Sequence, residues 1–136
     1  MPDWVTSPPS VMDIVAGFYP ETKPKGELRL RPCLVTAVYK NTESGEFACE
    51  VAYGTKTLKT WSSMGKDLVI QNTSDLDELG LPVATRFVLA IDQRATLVWG
   101  PESFGCWKNH RSPRIGTLNA DYQREYAYCM LKLLSV

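Results

Sequence analysis

Arg31-Pro32-Cys33-Leu34-Val35-Thr36-Ala37-Val38-Tyr39, followed after a Lys40–Gly45 turn by Glu46-Phe47-Ala48-Cys49-Glu50-Val51-Ala52-Tyr53, is the stretch on which the fold depends. The first run is rich in Val, Leu and Thr and nearly continuous in apolar character, which predicts a central strand. Its proline stands at the start, where a missing ladder N–H is tolerated. In the second run Phe47, Cys49, Val51 and Tyr53 alternate with Glu46, Ala48 and Glu50, the period of two of a half-buried partner strand. Together they predict a β-hairpin.

Upstream, Val11–Phe18 offers a short strand, and Tyr19–Leu30, with Pro20, Pro24 and Gly26 among charges, has the chemistry of an exposed loop. Residues 1–10 read as a flexible N-terminal arm, because their prolines and serines give neither helical nor strand periodicity. Downstream, Gly54–Lys66 is a loop dense in hydroxyls and lysines, and Asp67–Gln71 holds a short Leu-Val-Ile strand. Ser74 is placed to cap a helical turn through Leu79 that Gly80 and Pro82 end. Phe87, Leu89 and Ile91 alternate, and a turn at Asp92–Arg94 leading to Leu97, Val98 and Trp99 predicts a second hairpin. Asn119 caps a last helix whose Tyr122, Tyr126, Cys129, Met130, Leu133 and Leu134 share one face and should dock on the sheet. Five to six short antiparallel strands with a C-terminal α-helix define a mainly β chain, a small barrel or strongly bent sheet in a single domain over residues 11–136.

Composition narrows the function classes. The chain has 136 residues, enough for one core without staples, and its 44% hydrophobic and 22% charged content is that of a globular domain. Apolar stretches such as Phe87–Ile91 are far too short to span a membrane, and the proline-bearing N-terminus does not read as a secretion signal, so cytoplasmic residence is expected. Cys33, Cys49, Cys106 and Cys129 form no C-x-x-C pair, which speaks against zinc and for buried free thiols. No metal or cofactor is expected. Fifteen basic residues balance fifteen acidic ones, so any polyanion site has to be local. Lys23, Lys25, Arg29 and Arg31 cluster early, Lys56 and Lys59 lie mid-chain, and Lys108, His110, Arg111 and Arg114 crowd a late loop.

Four stretches in order carry a likeness: Asp13-Ile14-Val15, Arg31-Pro32-Cys33-Leu34-Val35, Val51-Ala52-Tyr53-Gly54-Thr55 and Arg114-Ile115-Gly116-Thr117-Leu118. In these motifs and their spacing the chain resembles the MazF/PemK family of toxin endoribonucleases. The resemblance implies an SH3-like barrel with appended helices, and metal-independent cleavage of single-stranded RNA by attack of a ribose 2′-hydroxyl on the adjacent phosphate. It also implies a homodimer held inactive by an antitoxin protein, as in toxin-antitoxin pairs. Carried across the matching motifs, the catalytic pair is Arg31 and Thr55. A forked guanidinium suits charge building on phosphoryl oxygens, while its high pKa makes it a poor proton acceptor. Thr55 would orient the phosphate, with Gly54 allowing close approach.

Lys56, Thr57, Arg86, Trp107, His110 and Arg111 are candidate substrate-binding residues. Each also has a plainer reading. Lys56 and Thr57 suit a solvated loop, since no Walker pattern is present. Arg86, on an alternating strand, should point away from the core, toward RNA or into an ordinary surface pair. Trp107 beside Lys108, His110 and Arg111 suits stacking on unpaired bases, or plugs the barrel's end. His110, the single histidine, has the ordinary pKa of a general base but lies in none of the four motifs. The alternative function is a non-catalytic binding or regulatory module of the same fold that engages a protein partner. Neutral net charge favours it, as does Gly54-Thr55-Lys56-Thr57, where many relatives place a glutamine just beyond.

Overall fold

A computed structural model of the chain describes residues 8–18, 30–58, 67–106 and 112–134. Seven antiparallel strands form a curled half-barrel sheet, closed by a C-terminal helix. The strands are β1 (Asp13–Phe18), β2 (Leu30–Lys40), β3 (Phe47–Thr55), β4 (Leu68–Ile70), β5 (Thr85–Phe87), β6 (Arg94–Val98) and β7 (Arg114–Thr117). Helix α1 (Thr73–Leu79) separates β4 from β5, and α2 (Ala120–Leu134) follows β7. Among the described residues no helix is long and apolar enough to cross a membrane.

The β2–β3 hairpin is the centre of the sheet, with β1 on β2's other edge and β7 outside β1. The four stretches that carry the family likeness thus fall on four consecutive strands, β3, β2, β1 and β7. Register runs from Cys33 opposite Tyr53 to Val35 opposite Val51, then slips so that Ala37 faces Glu50. Thr36 occupies the bulge, its hydroxyl donating to the Glu50 carboxylate at 2.8 Å. A bulge sharpens local twist, and here it lies mid-strand in the longest strand, where twist curls the whole sheet.

β2 is apolar on both faces because both faces are covered. Ile14, Leu34 and Ala52 face Leu68, Ile70, Leu79, Leu81, Phe87, Leu89 and Leu118, closed over by Tyr126 and Cys129 of α2. Val15, Cys33, Val35, Cys49 and Val51 face the other way, under Trp99 and Phe104, whose ring centroids lie 4.7 Å apart. That second layer explains the continuous apolar run, which alternation alone would not produce in a one-sided sheet.

Four details differ from expectation. Segments 87–91 and 97–99 do not make a hairpin with each other: β5 pairs with Gly54–Thr55 and β6 with Ala48–Ala52, both antiparallel to β3. They are one interrupted strand on one edge, and the 3-10 turn Ile91–Gln93 is an excursion rather than a reversal. Ile91 accordingly sits in that excursion at 64% exposure. The cap of α1 is Asn72, not Ser74: the Asn72 amide oxygen accepts from the Ser74 N–H at 3.0 Å. Asn119 does cap α2, accepting from the Tyr122 N–H at 3.1 Å, but Leu134 is 74% exposed while its neighbour Leu133 packs against the core, so the apolar face ends at Leu133. The end of the arm at residues 8–10 is held, with Pro9 buried and the Pro8 carbonyl accepting from the Arg114 guanidinium. Residues 1–7 lie outside the described residues.

None of the four cysteines is in a disulfide; Cys33, Cys49 and Cys129 are buried and Cys106 is half-buried. Burial pushes the Cys33 and Cys49 thiols up to about 12, against the ordinary 9.0. A raised thiol pKa favours the protonated form in the fold, so this contribution to stability is complete below the unfolded value and declines as pH climbs from 9.0 toward about 12. Melting temperature should fall across that window. At pH 8 a thiol reagent should modify Cys106 rapidly and the three buried cysteines only on unfolding; prompt modification of all four would contradict the packing.

Candidate functional site

Arg31 and Thr55 line one cleft. Continuing the β2–β3 register two residues past Cys33 and Tyr53 sets Arg31 opposite Thr55, and strand alternation gives both the face that Cys33 and Val51 share. Between them the strands meet at Pro32 and Gly54. A Cβ on Gly54 would lie 2.9 Å from the Pro32 carbonyl oxygen and 2.7 Å from Thr85 Cγ2, so only glycine lets β3 pass between β2 and β5 here. The closeness expected of Gly54 toward a phosphate is therefore spent on its neighbouring strands.

The cleft, about 410 Å³, is bounded by Leu30, Arg31 and Pro32 from β2, by Gly54–Thr57, and by Pro82, Val83 and Thr85 on the approach to β5. Its described lining carries two cations, Arg31 and Lys56, three hydroxyls, Thr55, Thr57 and Thr85, the last donating to the Val83 carbonyl, and no carboxylate. An apolar wall of Leu30, Pro32, Pro82 and Val83 lines the same concavity. The Thr57 N–H donates to Thr55 Oγ1 at 3.2 Å, which occupies one lone pair of that hydroxyl and leaves its proton for an acceptor.

Glu50 accepts from Arg94 at 3.1 Å and from the Thr36 hydroxyl. Arg94 also donates to the Leu89 carbonyl at 3.0 Å, tying β6 to the end of β5. Cys33, two residues beyond Arg31, is no nucleophile: burial raises its thiol, against the opposing pull of a Gly17 backbone bond and the Arg31 guanidinium.

Arg86 departs most from expectation. Its side chain is 11% exposed and pairs at 2.5 Å with Asp67, itself 2% exposed, rather than meeting a partner at the surface. Its Nε donates to the Thr57 carbonyl at 2.8 Å. Asp67 went unnoticed in the sequence because it sits at a loop–strand boundary with no pattern to mark it. The apolar wall has no sequence signal either, since Pro82 reads only as a helix stop. Trp107, His110 and Arg111 lie outside the described residues. Among the described residues no three His, Cys, Asp or Glu side chains gather at metal-binding range. No family model matches the chain, and no curated protein matches it.

Proposed function

We propose that this chain is an endoribonuclease of the MazF/PemK type, cutting single-stranded RNA without a metal. The observation that carries the reading is the shared cleft: Arg31 and Thr55, 24 positions apart in the sequence, line one concavity together with Lys56. In the reaction the 2′-hydroxyl gives its proton to solvent as its oxygen forms a bond to phosphorus, and the bond to the 5′-oxygen breaks as that oxygen takes a proton from solvent, leaving a 2′,3′-cyclic phosphate and a 5′-hydroxyl. Arg31 donates two N–H groups to the phosphoryl oxygens as charge builds on them. Thr55, one lone pair engaged by the Thr57 N–H, donates a hydrogen bond to the same group and fixes its orientation. Lys56 adds charge at the rim, and the wall of Pro82 and Val83 offers an apolar surface to a base or ribose. Neither Arg31 nor Thr55 moves a proton in this scheme; they act by charge and position. A cytoplasmic homodimer under antitoxin control follows from the same resemblance.

Purified protein incubated with mixed-sequence RNA in EDTA should give discrete cuts with 5′-hydroxyl ends. A folded wild type that makes no cuts would sink the reading. A second reading, a non-catalytic module engaging a protein, is favoured by a separate groove of about 470 Å³ lined by Phe47, Val98, Trp99 and Pro101, which shares no residue with the cleft. A protein partner captured after nuclease treatment and lost on Val98→Glu would support that module.

A further inference from the structure

A line of contacts runs from the interior to the cleft. The Asp67 carboxylate is anchored in the core, one oxygen accepting from the Leu89 N–H at 3.3 Å and the other holding Arg86 Nη1. Arg86 Nε then donates to the Thr57 carbonyl, and the Thr57 N–H donates to the Thr55 hydroxyl oxygen. β3 ends at Thr55, whose register partner on β5 is Arg86 itself, so Thr57 lies beyond the ladder and is exposed. Ladder bonds do not fix it; the guanidinium does.

We infer that Arg86 and Asp67 form a positioning pair that holds Thr57, and through it aims the Thr55 hydroxyl at a bound phosphate. Arg86 acts behind the cleft wall rather than on the substrate. The planar guanidinium is needed because two of its N–H groups must reach a carboxylate and a carbonyl at once, which an ammonium at the end of a flexible stem does not reproduce. The functional part of this inference rests on the ribonuclease reading; the structural part does not.

Arg86→Lys keeps the charge beside Asp67 and removes the planar fork, so it tests the link without leaving a buried carboxylate alone. In the full-length protein the Thr57 amide should exchange at least fivefold faster, while β1, β2 and α2 amides stay within twofold. RNA cleavage should lose tenfold or more in kcat with KM changed less than threefold, in protein whose melting temperature shows it fully folded at the assay temperature, because an unfolded fraction would itself lower the apparent kcat alone. Unchanged Thr57 exchange, or faster exchange with undiminished kcat, would overturn the inference. If the wild type cuts no RNA, the ribonuclease reading fails and the decision passes to inorganic phosphate. Its effect on the Thr55 and Thr57 amide shifts should then need at least threefold more phosphate in Arg86→Lys, and equal titrations would refute the pair's role. Should Arg86→Lys not fold, Arg86→Met combined with Asp67→Leu removes both charges together and carries the same readouts.

Discussion

Gly116→Ala should unfold this protein at temperatures where the wild type is intact. The new Cβ would lie 2.4 Å from the Leu79 carbonyl oxygen and 2.9 Å from the carbonyl carbon, both backbone atoms at the end of α1. Across the same contact Gly80 adopts φ +74°, and a Cβ there would meet the Ile115 carbonyl at 2.7 Å. Helix α1 and strand β7 thus cross backbone to backbone, and neither can yield by rotating a side chain. Overpacking a core contact costs about 1–3 kcal/mol and more where backbone must move. At the upper end, in a domain this size, that corresponds to a fall of roughly 10 °C in melting temperature. Gly100→Ala, whose added methyl meets nothing within 4 Å, is the control and should stay within a few degrees. Equal melting temperatures for the two variants would mean that the crossing of α1 and β7 is not close-packed.

Arg31→Ala should lower RNA cleavage by about two to three orders of magnitude, the range for losing one donor aimed at developing negative charge. Arg31→Lys separates charge from geometry. If the fork matters, lysine should recover binding at low salt but little of kcat, because it offers a point charge where two parallel hydrogen bonds are required. The salt dependence of RNA affinity should flatten by about one unit in Arg31→Ala and stay unchanged in Arg31→Lys. Full activity in Arg31→Ala, in protein that melts like wild type, would remove the cleft from the mechanism.

The sequence was legible where periodicity and capping chemistry are local. The β2–β3 hairpin followed from alternation at Phe47, Cys49, Val51 and Tyr53, and α2 from Asn119 and the Tyr122–Leu133 stripe. It was illegible where one strand serves two neighbours. Phe87 and Leu97 both suit strands, but nothing local says that β5 and β6 share β3 instead of pairing with each other. Trp99 and Phe104 cover a second apolar layer from an irregular segment without period, so their role is visible only in three dimensions. Of the cleft, the motif residues Arg31 and Thr55 could be named in advance. The Asp67–Arg86 pair behind them could not, because a buried ion pair 19 positions apart leaves no periodic trace.

The sharing of β3 has one more consequence. Its residues contribute to both apolar layers, Ala52 to one and Cys49 and Val51 to the other, while its last two residues form the wall beside Arg31. Fraying at Gly54–Thr55 is therefore resisted by side chains packed above and below the same backbone. The part of the cleft that β3 supplies is thereby continuous with a strand packed on both faces, so little binding energy would go into ordering that strand.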